Sequence, residues 1–158
     1  MDFWKTIEYA WEEYPTLHEL RSMFVLSHEQ ELLPELMDGM NQEIVDVLAE
    51  KLATFSATEL TQFNRTMEAK LYHLDREELN EYMEGDAEDF LYSRCFVIAM
   101  GEKYFRLIDQ DPSMAPMARN GEKFGFVGYK VYRELFGTEF ERCEIHDIET
   151  GSNKAGWS

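Results

Sequence analysis

Leu60, Phe63, Met67, Leu71 and Leu74 stand three, four, four and three positions apart. This spacing puts all five on one stripe of a helix and is incompatible with the two-residue alternation of a strand. Directly ahead of them, Ser56-Ala57-Thr58-Glu59 carries the S-x-x-E signature, in which the two side chains reciprocally satisfy the helix's first free N–H groups. A capped amphipathic helix must bury its stripe, so the rest of the chain has to supply elements that cover it.

The rest of the chain reads as more helix. Phe3, Ile7, Ala10 and Tyr14, flanked by Trp4 and Trp11, follow helical spacing up to Pro15. A second apolar group (Leu17, Leu20, Phe24) and a short LLPELM segment run to Asp38-Gly39, which signals a turn. Ile44, Leu48 and Leu52, with Val45, mark the next helix. A helix is expected from about Arg76 to Glu84, followed by Gly85 at a left-handed C-terminal position and Asp86 as a new N-cap. The longest helix is expected from Ala87 to about Asp109, with Gly101 in its stripe admitting a close neighbour. After Asp111-Pro112 and the PSMAPMA loop, Phe124, Gly128, Val131 and Leu135 fit a helix ended by Gly137, although the β-branched and aromatic content there also fits a short strand. The expectation is an all-α bundle of about six helices over residues 1–140. A partly irregular tail over 141–158 shows no secure period, and its end is expected to be mobile.

Charge is the compositional outlier. Fifteen Lys and Arg against 32 Asp and Glu give −17. Residues 1–64 hold 13 acids and 3 bases, and residues 65–158 hold 19 and 12, so the excess covers the fold and is no detachable acidic tail. Such a field repels nucleic acid and anionic membranes and attracts basic proteins. No stretch without Asp, Glu, Lys or Arg exceeds seven residues, which excludes a hydrophobic span. The start lacks the basic and apolar regions of a signal peptide, and two cysteines encode no disulfide framework. A cytoplasmic location follows by elimination.

The acids concentrate in DREELNEYMEGDAED, residues 75–89, eight carboxylates with one arginine. On a helix Glu77, Glu81 and Glu84 share one face, at i, i+4 and i+7, while Asp86 and Glu88 fall at the next helix start, where the dipole favours negative charge. These five residues are the expected partner-binding surface. A second candidate is Arg94, which falls at the centre of an apolar stripe and must be paired, because an uncompensated buried charge costs several kcal/mol. Glu68 and Glu12 are its expected partners in an interhelical ion pair. Otherwise Arg94 contacts an anion in a cleft with Tyr104 and Trp4.

Signatures of chemistry are sparse. Cys143-x-x-His146 is half of a zinc pattern, and the run starting at Asp109-x-Asp111 places Met114 and Asn120 where a calcium loop needs Gly and Glu. GxSxG, GxGxxG, P-loop and HExxH motifs are missing. Cys95, within CFVIAM, reads as a reduced core thiol. No cofactor, metal or catalytic residue is expected.

Phe3-Trp4-x-x-Ile7, Phe63 with Met67, and Asp89-Phe90-x-x-x-Arg94-x-x-Val97-Ile98-x-x-Gly101-x-x-Tyr104 before Asp111-Pro112 form a pattern. It resembles the bacterial domain-of-unknown-function family 4240, as do Gly128-Tyr129-x-x-Tyr132 and Phe136-Gly137. Phe96 stands where the family has Trp, Gly85 is all that remains of a Gly-rich turn, and residues 16–40 look like an insertion. The resemblance implies an all-α bacterial cytoplasmic protein in which Arg94 and Gly101 are structural. It carries over no activity.

Two functional readings follow. The first is a non-catalytic binding module whose acidic face meets a basic protein, as an immunity protein or inhibitor meets a nuclease-type toxin domain, with no nucleic acid or membrane involved. The second is a small-ligand sensor or enzyme with an anion-binding cleft around Arg94. Mimicry of DNA phosphates would need an ordered two-row array, and one short stripe does not provide it.

Overall fold

The computed structural model describes residues 1–117 and 119–158; Ala118, the last residue of the expected Met/Ala/Pro loop, lies outside the described residues. The fold is all-α, and no strand occurs among the described residues. The helices are α1 (Phe3–Glu12), α2 (Pro15–Ser27), α3 (Leu33–Gly39), α4 (Val45–Leu52), α5 (Ala57–Leu74), α6 (Glu77–Met83), α7 (Ala87–Ala99), α8 (Glu102–Gln110), α9 (Glu122–Gly125) and α10 (Val127–Phe136). No described helix is long and apolar enough to cross a membrane.

Local signals set several boundaries. Ser56 accepts from the Glu59 amide at 3.1 Å and Glu59 accepts from the Ser56 amide at 3.0 Å, so the expected capping box opens α5, whose stripe is buried. Asp86 and Asp89 form the same reciprocal pair at the start of α7. Gly137 ends α10 at φ 71, as its position predicts. The stretch suspected of forming a strand is instead α9 and α10, because its apolar residues Phe124, Val127 and Val131 face the core at helical spacing.

Three local expectations are corrected. Asp38-Gly39 makes no turn: α3 runs through a π-helical segment at Met40–Ile44 into α4. Gly39 is there for space, since a Cβ would fall 2.3 Å from the Leu17 side chain. The expected helix from Ala87 to Asp109 is two helices broken at Gly101, whose φ of 98 is left-handed. With that break, and with residues 15–39 building α2 and α3, the bundle has more than the six helices expected. The third correction concerns the end of the chain, which is docked. Ile148 is buried, and Trp157 packs against the core with its ring 6.2 Å from that of Phe90.

Helix α7 is the hub. It is buried nearly all round, from Ser93 to Ala99, and packs against α5, α8 and α9. The α9 contact is close enough that a Cβ on Gly125 would sit 2.3 Å from the Cys95 Sγ. Cys95 and Cys143 are both free thiols, and Cys95 is fully buried.

Candidate functional site

Arg94 projects from α7 into the interior with no exposed surface. Its guanidinium donates to the Leu71 carbonyl at 2.8 Å, the Ile148 carbonyl at 3.0 Å and the Thr150 hydroxyl at 3.2 Å, and lies 4.7 Å from the centre of the Phe90 ring. Neither expected partner is used. Glu12 is exposed on α1, and Glu68 is committed elsewhere. Burial pulls the Arg94 guanidinium below its usual value, and the charge of Asp75 draws it back up.

Asp75 is the opposite charge that acts most strongly on Arg94, without an ion pair between them among the described residues, and it too is fully buried. It sits at the C-cap of α5, where its carboxylate accepts from the Gly151 amide at 3.0 Å, the Asn153 amide at 2.9 Å and the Trp157 indole at 3.0 Å. Thr150 completes the arrangement by donating to the Ala87 carbonyl at 2.6 Å. Residues 148–157 are thus held by two opposite buried charges rather than by an apolar period.

Glu68 organises a second buried polar cluster. One carboxylate oxygen accepts from Arg65 at 2.7 Å, and the other accepts from the Tyr129 hydroxyl at 2.8 Å and the Cys143 amide at 3.1 Å. Burial, reinforced by the Glu68 charge, pushes the Tyr129 phenol well up. Tyr104 is elsewhere, fully buried among Phe24, His28 and Phe96, and its hydroxyl has no hydrogen-bond partner among the described residues. Trp4 is half-buried and lines open cavities, whereas Arg94 is enclosed, so the imagined Arg94–Tyr104–Trp4 cleft does not assemble around the guanidinium.

The five acids of the expected partner surface lie at the corner between α6 and α7. Glu81, Glu84, Asp86 and Glu88 are exposed and Glu77 is partly so. Their row differs from the expected helical stripe. Helix α6 stops at Met83 and Glu84 turns off it at φ 52, because Gly85 at φ 94 reverses the chain. Glu77 accepts from the Ser158 hydroxyl at 2.6 Å, which holds its carboxyl below the usual range. Asp86 caps α7, and Glu88 accepts from the Tyr92 hydroxyl at 2.6 Å, raising that phenol. Among the described residues, none of these five acids forms an ion pair. The one arginine of the segment, Arg76, turns away to Asp109, as does His73 at 2.9 Å.

No group of three His, Cys, Asp or Glu side chains among the described residues is placed to hold a metal ion, Cys143 and His146 included. Sequence reasoning missed the pair Arg21–Glu8. Arg21 is buried in α2, its two terminal nitrogens 2.8 and 2.6 Å from the two Glu8 oxygens and its guanidinium 4.8 Å from the Trp11 ring centre. The signal was available, since Arg21 interrupts the apolar group Leu17, Leu20, Phe24 as Arg94 interrupts its own.

Fold and site together define an all-α protein that buries opposite charges beneath its own C-terminal segment and displays an unneutralised acidic corner. The chain belongs to the family described as Protein of unknown function (DUF4240), whose model matches residues 2–142. No curated protein and no solved structure matches the chain. The matched span includes residues 16–40 and contains Asp75, Arg94 and Leu71, but it ends before the C-terminal residues that bind the two charges.

Proposed function

We propose that the chain is a non-catalytic binding protein whose α6–α7 corner docks a basic protein partner. In its most specific form it is a bacterial cytoplasmic immunity protein that neutralises a nuclease-type toxin domain. One observation carries the reading: Glu81, Glu84, Asp86 and Glu88 lie at and beside the α6–α7 turn, with Glu77 at the start of α6, and no cation is paired to any of them among the described residues. The capping box of α7 and the buried Leu79 and Met83 of α6 fix the backbone beneath these acids, so the charges are presented on a rigid support. Like charges left unpaired on a short stretch are mildly destabilising, by about 0.2–0.5 kcal/mol per i,i+4 pair. Steering of an oppositely charged partner is the return that offsets this cost. The two free thiols are in keeping with a reducing compartment.

The test is a triple charge reversal, Glu81→Lys, Glu84→Lys and Glu88→Lys, on exposed positions that leave the helices intact. Association with a captured basic partner should slow by about tenfold or more at low salt, and the salt dependence of the rate should flatten. Unchanged capture with an unchanged salt slope would show that the corner is not the interface.

A further inference from the structure

A second surface of this acidic protein is basic, and it surrounds Trp4. Two cavities of about 410 and 440 Å³ adjoin there, sharing Trp4 and Glu102 as a common wall. Five of the chain's 15 lysines and arginines line them (Lys5, Arg21, Lys70, Lys103 and Arg106), but only three of its 32 acids (Glu8, Glu102 and Asp109). The balance of the whole chain is thus reversed in one place.

Those three acids are already occupied. Glu8 holds Arg21, Glu102 accepts from Arg106 at 3.0 Å, and Asp109 holds Arg76 and His73. Lys5, Lys70 and Lys103 are left without a carboxylate partner among the described residues. The ammonium of Lys70 instead lies 5.7 Å from the Trp4 ring centre and 5.4 Å from that of Phe105, and the two rings are themselves 5.4 Å apart. Val25, Leu26 and Met100 add apolar wall to the first cavity. Each cavity falls within the usual range for small-molecule sites, about 300–1,000 Å³.

We propose that this cleft binds a small planar organic anion. A flat ring would lie against Trp4 and the apolar wall of the first cavity, and a carboxylate or phosphate head would be held by Lys5 and Lys103, which line the same cavity. The inference is independent of the α6–α7 corner, none of whose five acids lines either cavity.

The experiment titrates full-length protein with phthalate and, separately, with adenosine 5′-monophosphate, following the Trp4 indole N–H by NMR; a Trp4→Phe variant assigns the signal. The two probes distinguish a carboxylate head from a phosphate head, and saturation by either one below about 1 mM supports the site. Adenosine, which keeps the ring and lacks the charge, should bind at least about tenfold more weakly than the monophosphate. The double variant Lys5→Ala/Lys103→Ala, changed only at exposed side chains, should weaken the bound anion by about tenfold. The proposal is overturned if neither anion moves the Trp4 signal up to about 10 mM. It is equally overturned if adenosine matches the monophosphate, or if the double variant binds as tightly as the parent.

Discussion

Trp157 and Asp75 are 82 positions apart, yet the Trp157 indole N–H reaches both the Asp75 carboxylate, at 3.0 Å, and its backbone carbonyl, at 3.1 Å. The same carboxylate takes two amides from the chain just before the tryptophan. A segment with no helical period is in this way made part of the core, and the polar atoms that hold it are themselves sealed from water.

Asp75→Ala removes the acceptor of three part-buried donors and the carboxylate charge that acts most strongly on Arg94. The expected cost is about 3–5 kcal/mol, read as a lower urea midpoint, with Trp157 fluorescence shifting to the red as the tail detaches. Trp157→Phe keeps an aromatic ring, loses the N–H and part of the indole's packing surface, and should cost about 1–2 kcal/mol. Equal losses for the two variants would mean that ring packing, and not the carboxylate, secures the tail.

Asp109 sets part of the acid response. Burial alone would raise its carboxyl, but hydrogen bonds from Arg76 and His73, with their charges, outweigh this and hold it below its ordinary 3.8. A depressed carboxyl contributes stability that is present above the unfolded-state value and is lost as pH falls through the folded one. Urea midpoints taken from about pH 5 down to about pH 2 should fall less steeply for Asp109→Asn than for the parent chain. Parallel curves would remove Asp109 from the acid transition. Partial exposure of Asp109 and of both its partners, His73 most of all, keeps the effect modest.

Cysteine labelling should separate the two thiols. Burial pushes the Cys95 thiol up to about 12, so at pH 8 only about one molecule in ten thousand carries the thiolate. Iodoacetamide should therefore modify the partly accessible Cys143 in the native protein and reach Cys95 only after denaturant is added, as mass spectrometry would show. Rapid double labelling of the folded chain would contradict the packing of α9 on α7.

Glycine substitution distinguishes strain from collision. Gly137→Ala meets only the backbone strain of φ 71, with nothing near the new methyl, and should cost about 1 kcal/mol. Gly101→Ala adds a methyl 2.6 Å from the Glu8 carboxylate and 3.0 Å from the Arg21 guanidinium, and should cost about 2–3 kcal/mol or more. Thermal melts of the two variants give the comparison, and indistinguishable shifts would remove the Glu8–Arg21 pair as the reason for the glycine.

What could be read from the sequence follows from how local each interaction is. The stripe and cap of α5, the Asp86 cap and the Gly137 stop depend on residues within a few positions of one another, and all three stand in the structure. That Arg94 needed a partner followed from its place on an apolar face. The partners themselves, backbone carbonyls at Leu71 and Ile148, are invisible to side-chain patterns, and the search among carboxylates overlooked Asp75 at a helix end. Gly101 was misread because a glycine in an apolar stripe is equally consistent with close packing and with a break, and only its φ decides. The acidic corner was legible as composition. Its shape was not, since Glu84 leaves the helix one residue before the glycine that turns the chain.

The tail also orders events in time. Synthesis delivers Asp75 and Arg94 to the ribosome exit well before residues 148–157, so the nascent bundle carries two opposite charges for which the Leu71 carbonyl is in place but the acceptors and donors of the C-terminal segment are not. The cover over these two charges can therefore form only once residues 148–157 have emerged, and until then Arg94 lacks two of its three hydrogen-bond acceptors.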